Sequence, residues 1–151
     1  MKVLKIVLVV LLLGFISIQF FGIEKSNPEF DSQLDFLTIE NPPENIEKIF
    51  RNACYDCHSN ETQWPWYANV APMSWMIEDH VEEGRDYINL NDWGDYELED
   101  RHYILEEMME EIDHEEMPLP AYRIFHRDSR ITDIQKAELF EWIRSVQKSA
   151  E

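Results

Sequence analysis

Cysteine is scarce in this chain: two residues among 151, Cys54 and Cys57, both in one short stretch. That excludes the disulfide framework that staples small secreted domains. Glycine numbers only four and no repeat period is visible, which excludes collagen-like and solenoid designs. Basic residues are few, Lys+Arg 13 against Asp+Glu 31, for a formal net charge of -18. A phosphate backbone attracts clustered Lys and Arg, so no nucleic-acid partner is expected, and a cation or a basic protein suits the charge better. No stretch alternates at period two for long enough to suggest a sheet. The acidic run from Glu106 to Glu116 lacks the D-x-D-x-D-G loop of a calcium site and reads as a solvated helix face. Nothing resembles a catalytic acid–base pair or an activated nucleophile, so the chain is not read as an enzyme.

What is present fits one domain behind a hydrophobic leader. The length suits a single domain, and 13% aromatic residues is too rich for a disordered chain. Lys2 and Lys5 precede an uncharged run from Ile6 to Ile23, just long enough to cross a bilayer as a helix. Bulky residues from Ile18 to Ile23 occupy the place where a signal peptide would carry small ones, so residues 1–23 are read as an uncleaved transmembrane anchor. The positive-inside rule keeps the lysines cytoplasmic. Residues 24–151 are therefore expected on the periplasmic side of the cytoplasmic (inner) membrane, in a single-pass protein. Setting aside Lys2 and Lys5 takes the charge from -18 to -20 for that part. Such a field steers basic partners inward and also serves solubility.

Residues 24–43, with Pro28 and the pair Pro42-Pro43, read as a spacer that partly packs on the domain at 44–151. Ile46, Ile49, Phe50 and Ala53 recur at helical spacing and predict a helix from about residue 44 into Cys54. Pro65 and Pro72 bound an aromatic loop. Met73 to Glu83 reads as a helix closed by Gly84 as its C-terminal cap. A third helical pattern covers Leu98 to Ile112, and Pro118 and Pro120 argue against its continuation past Met117. Thr132 with Gln135 forms a capping box ahead of a C-terminal helix reaching about Lys148.

The chemistry concentrates in Cys54-Tyr55-Asp56-Cys57-His58, the C-x-x-C-H signature of c-type haem attachment. Two thiols three residues apart can each form a thioether with one of the two haem vinyl groups, and the following imidazole becomes the proximal iron ligand. A thioredoxin-like dithiol would expect a strand before the pair, where helical residues stand instead. A zinc site would need four ligands, and no second paired motif supplies them. A plain structural disulfide is the remaining alternative.

The run from Cys54 through Ser59-Asn60-Glu61-Thr62, then Pro65-Trp66-Tyr67, Ala71-Pro72, Ser74-Trp75 and Glu83-Gly84-Arg85, resembles a bacterial family of haem-binding domain proteins. The resemblance continues through Glu116-Met117-Pro118-Leu119 and Tyr122 to His126 and covers about residues 42 to 147. Members are small, often membrane-anchored, and carry a single C-x-x-C-H. The resemblance implies a cytochrome c-like, haem-bearing fold.

The sixth iron ligand separates an electron carrier from a ligand binder. Met117, in a Met-Pro-Leu-Pro loop similar to the ligand loop of many small c-type cytochromes, is the first candidate. His126 and His114 are rivals, with His80 and His102 behind them. Met73, Met76, Met108 and Met109 fit core positions better. Trp64, Trp66, Tyr67, Trp75 and Trp93 are candidates to wall the porphyrin, and Arg85, Arg123, Arg127 or Arg130 to meet its propionates. The expectation is an all-α, small cytochrome c-like domain around one covalently attached haem c, behind a transmembrane helix. Cys54, Cys57, His58, Met117, Trp66, Tyr67, Trp75 and Arg85 would bind the cofactor, with His58 and Met117 on the iron. The expected function is single-electron transfer with extracytoplasmic redox partners. The alternatives are a haem-based sensor with an open or displaceable sixth position and an accessory subunit of a larger oxidoreductase.

Overall fold

The computed structural model describes residues 1–149, and among them every regular element is helical. Eight α-helices follow in order: α1 (Lys2–Ile18), α2 (Phe36–Glu40), α3 (Glu44–Ala53), α4 (Tyr55–His58), α5 (Met73–Tyr87), α6 (Leu98–Asp113), α7 (Pro120–Phe125) and α8 (Asp133–Ser149). Short 3-10 helices at Trp66–Asn69, Leu90–Asp95 and Arg127–Ser129 fill the connections. The all-α expectation holds.

The core forms where α2, α3, α6 and α8 meet. Phe36 is fully buried, with its ring 4.7 Å from Phe50 and edge-on to Trp93 at 4.9 Å and Trp142 at 5.9 Å. Such tilted and T-shaped contacts suit the ring quadrupoles. Helix α3 contributes Ile46, Ile49 and Phe50 from one face, and its first turn carries Glu44 and Glu47, the favoured charges for a helix N-terminus. Helix α8 starts at the expected capping box: Thr132 Oγ1 accepts from the Gln135 N–H at 3.3 Å, and Gln135 Oε1 accepts from the Thr132 N–H at 3.0 Å. Its Leu139, Ile143 and Val146 repeat at helical spacing and are buried. From α6, Leu105 is buried, and Met108, Met109 and Ile112 pack against the same cluster. Of the methionines assigned to packing, Met108 and Met109 thus do pack, whereas Met73 is only half-buried and Met76 is exposed.

Two expectations need correction. The first concerns the transmembrane helix: no helix among the described residues is long and apolar enough to cross a membrane. Helix α1 has 17 residues, about 26 Å at 1.5 Å per residue, against a hydrocarbon core of about 30 Å. It stops at Ile18 because Gln19 turns back onto the domain, accepting from the Ala71 N–H at 3.0 Å and donating to the Ala71 carbonyl at 2.9 Å. The second concerns Gly84, which caps nothing. Helix α5 runs on to Tyr87, and Gly84 lies buried inside it. The stop before Met117 is as expected: helix α6 ends at Asp113, and a separate helix, α7, begins with Pro120 in its first turn, the helical position that tolerates proline best.

Within 24–43, the part that enters the core is the segment around α2. Asp35 caps that helix through Thr38 N–H at 3.1 Å and places Phe36 and Leu37 in the core.

Candidate haem site

Helix α3 delivers its C-terminus into Cys54, and the single turn α4 then carries Tyr55, Asp56, Cys57 and His58. Tyr55 points into the core at 3% exposure, with its hydroxyl on Asp35 Oδ1 at 2.7 Å. That anchor fixes the rotation of α4 about its axis. Cys54 packs against the core cluster, while Cys57 lines an open pocket with Asp56, Tyr67, His80, Val81 and Tyr122. The pocket holds about 380 Å³ counting the part open to solvent.

Both cysteines are free thiols. Burial pushes Cys54 up to about 12, with the neighbouring Cys57 adding to it. Burial also pushes Cys57 up to about 11, reinforced by the Asp56 carboxylate and partly offset by Arg85. A redox dithiol needs a depressed thiol pKa to supply thiolate. These two are held protonated, which disfavours the thioredoxin-like alternative.

His58 is oriented by backbone. Its Nδ1 lies 2.9 Å from the Gly84 carbonyl and 3.3 Å from the Ile88 carbonyl, both at the end of α5. A carbonyl oxygen only accepts, so Nδ1 carries the proton and Nε2 keeps its lone pair. Burial lowers the pKa of the ring, opposed in part by these two bonds, which favours the neutral imidazole. Metal-bound histidines are held in this way, with the far nitrogen donating to a carbonyl or carboxylate.

The close approach of α5 to α4 requires Gly84. A Cβ there would stand 2.7 Å from the Cys57 carbonyl oxygen and 3.2 Å from Cys57 Cβ. The next residue, Arg85, reaches the loop that follows His58: Nε donates to the Ser59 carbonyl at 2.8 Å, and Nη2 donates to Thr62 Oγ1 at 2.9 Å and to Asn27 Oδ1 at 3.1 Å. The residue considered for a propionate is thus engaged in holding the loop. A buried polar network secures the loop's other side. The Asn60 N–H donates to Asn91 Oδ1 at 2.6 Å, and Asn91 Nδ2 donates to Asp35 Oδ1 at 3.0 Å and Glu61 Oε1 at 3.1 Å.

The other expected residues divide. Tyr67 is buried and lines the pocket with Cys57, its hydroxyl 2.5 Å from His126 Nε2. Met117 is half-buried, two residues before the lining residue Leu119, and does not itself line the pocket. Trp66 is 75% exposed, and Trp75 is 38% exposed with its indole N–H on the Phe21 carbonyl at 2.8 Å. Trp93 belongs to the core with Phe36. Trp64 Nε1 is buried without a protein acceptor, an N–H left available to an acceptor from outside the chain. Sequence reasoning assigned no role to Asp56, whose carboxylate accepts from the Tyr122 hydroxyl at 2.6 Å and the Gln63 N–H at 2.9 Å. Tyr122 in turn stacks on His126 at 4.0 Å. Tyr67 was expected at the porphyrin and His126 as a rival iron ligand, while Tyr122 was visible only as a member of the resemblance; their pairing with one another was not expected.

A helical domain that offers two thiols from one turn, and beside them an imidazole whose free nitrogen suits a metal, has the donor set of a haem protein. The model of the haem-binding domain family matches residues 13–145, most of the chain, and the chain belongs to that family. No curated protein matches it. No solved structure matches it either.

Proposed function

We propose that this haem-binding domain protein is a membrane-attached, extracytoplasmic c-type cytochrome carrying one covalently bound haem, and that it passes single electrons between redox partners. The observation that carries the reading is the state of His58. With Nδ1–H committed to the Gly84 and Ile88 carbonyls, Nε2 is left as the donor for iron, next to two thiols spaced for the two vinyl groups.

When bound, haem supplies a one-electron couple at iron. The chain's own part is to hold the cofactor and set its surroundings. Cys54 and Cys57 would attach it and His58 would hold the iron. The indole N–H of Trp64 is a donor suited to a propionate oxygen. Met117 would be the first candidate for a second iron ligand, from its place in the Met-Pro-Leu-Pro loop. With no acid–base pair or activated nucleophile in the chain, it is an electron carrier and not a catalyst in this reading.

Attachment to the membrane through the N-terminal segment is supported by its exposed apolar surface. Every large apolar side chain from Val3 to Ile16 is between 47% and 75% exposed, an arrangement that water penalises and lipid does not. Lys2 and Lys5 at its start favour a cytoplasmic N-terminus, which puts the haem domain on the periplasmic face of the inner membrane. The charge of -20 outside the anchor suits a basic redox partner and speeds encounter with it.

The test is the full chain produced with c-type haem maturation, extracted with acid–acetone and examined by absorption in both redox states. Haem that stays with the protein, low-spin, with the oxidised-state methionine-to-iron band, is expected. Extractable haem would refute covalent attachment, and stable high-spin haem would refute the electron carrier in favour of a ligand-binding sensor.

A further inference from the structure

Charge is distributed unevenly in this chain. Charged residues make up 29% of it, yet none occurs from Thr62 to Ile77, between Glu61 and Glu78. The other long uncharged run, Ile6 to Ile23, begins inside α1 and continues past its end. The fold brings the two together. Besides the paired bonds between Gln19 and Ala71, the Trp75 indole N–H holds the Phe21 carbonyl at 2.8 Å, and Lys25 Nζ bonds Asn69 Oδ1. The end of α1 is therefore clasped by the 3-10 helix Trp66–Asn69 and the start of α5.

Side chains of this uncharged segment point two ways. Tyr67 and Ile77 turn inward and line the pocket beside Cys57. Trp66 at 75%, Trp75 at 38% and Met76 at 40% stay exposed, as do Phe20 at 84% and Phe21 at 68% from the end of the N-terminal run. Lining a haem cavity explains the inward set and leaves the outward set unexplained. Tryptophan at the end of an apolar helix is the side chain that favours the headgroup level of a bilayer, with its ring among apolar tails and its N–H satisfied. Absence of charge within the segment itself limits the desolvation cost there, and the neighbouring Lys25 on Asn69 is a cation whose long stem can keep its charge at the headgroup level.

We propose that the face carrying Trp66, Trp75 and Met76 seats on the headgroup–acyl boundary of the bilayer that α1 enters. The haem domain is then held against the membrane in one orientation and does not swing on a flexible tether. This rests on the membrane attachment proposed above. The orientation is set by the clasp at Gln19 and Trp75, so the pocket beside Cys57 keeps a constant height above the lipid.

The experiment uses the full haem-loaded chain in zwitterionic phosphatidylcholine nanodiscs, one chain per disc, after confirming that the chain co-floats with phosphatidylcholine vesicles. Hydroxyl-radical footprinting with mass spectrometry then reads side-chain access. Tyr87 at 68% and Tyr103 at 59% exposure, on α5 and α6, serve as internal references. Trp66 is more exposed than either in the isolated chain and is expected to oxidise at least threefold more slowly than both in the disc, with Met76 protected alongside. Oxidation of Trp66 as fast as Tyr87 in a chain that co-floats would overturn the docked face while leaving the anchor standing. Failure to co-float would overturn the anchor itself and the docked face with it. Protection seen in crowded vesicles but lost at one chain per disc would assign the face to a second copy, again overturning the proposal.

Discussion

Gly84→Ala probes the contact on which the His58 arrangement depends. The new Cβ would meet the Cys57 carbonyl oxygen at 2.7 Å, about 0.7 Å inside the 3.4 Å where ordinary contact begins, with Cys57 C at 3.1 Å and Cys57 Cβ at 3.2 Å. All three are atoms of the turn α4 or directly attached to its backbone, so no flexible side-chain end can give way. Either α5 moves off α4 or the turn shifts. Overpacking of this kind costs about 1–3 kcal/mol. Opening the gap by the full deficit would take the His58 Nδ1 to Gly84 contact from 2.9 Å beyond hydrogen-bond range and forfeit about 1 kcal/mol more. Against this, alanine in a helix interior gains about 1 kcal/mol over glycine. The balance is a loss of about 1–3 kcal/mol, which for a chain of this size lowers Tm by roughly 2–12 °C.

Stability alone would not tie the effect to His58, so the assay pairs thermal unfolding with the reduction potential of the haem-loaded protein. A weakened Nδ1–H bond makes the imidazole a poorer electron donor and raises the potential. Gly94→Ala is the control. Its Cβ would strike Leu34 Cδ2 at 2.6 Å and Leu34 Cα at 3.1 Å, atoms of neither α4 nor α5, and it should lower Tm without moving the potential. An unchanged Tm in Gly84→Ala would refute the packing argument. A lowered Tm with an unmoved potential would refute the link to His58.

Three further outcomes are expected. Asp35→Ala removes the cap of α2 and the acceptor for both the Tyr55 hydroxyl and Asn91 Nδ2, leaving the buried Tyr55 hydroxyl without its acceptor. A loss of about 2–4 kcal/mol should appear as a lower urea midpoint at unchanged slope, and Asp35→Asn should recover part of it. Met117→Leu should abolish the methionine-to-iron band while leaving helical content intact by circular dichroism; an unchanged band would assign the sixth position to another residue. The haem-free reduced chain should lose stability as pH rises above about 9. Folded Cys54 and Cys57 hold their protons to about 12 and about 11 while unfolded thiols release them near 9, so the native state binds more protons in that window and the slope is negative. Once both sulfurs are thioethers this contribution is gone, and urea midpoints at pH 8, 9 and 10 should separate the two forms. Parallel curves would refute it.

The features legible from sequence are those written in local spacing. Ile46, Ile49 and Phe50 announced α3, and Thr132 with Gln135 marked the start of α8, because a 3.6-residue period and a capping box are properties of neighbours in the chain. C-x-x-C-H belongs to the same kind, since the thiols and the imidazole share one turn. Phe36 went unplaced for the opposite reason: five residues of α2 are too short to show a period, and its burial depends on Phe50, Trp93 and Trp142 arriving from elsewhere. The case of Gly84 is sharper. Near the end of an apolar pattern a glycine reads as a cap, and local rules support that reading. Its actual constraint comes from Cys57, 27 residues earlier, and no pattern along α5 encodes the position of a carbonyl on another helix. The same contact sets the proton on His58, because the Gly84 carbonyl reaches Nδ1 only while the two helices stay that close. Motif spacing thus identifies the groups that would hold the cofactor, whereas the tautomer that readies His58 for iron follows from tertiary approach. A C-x-x-C-H lacking a residue small enough to admit that approach would keep the signature and lose the orientation of its histidine.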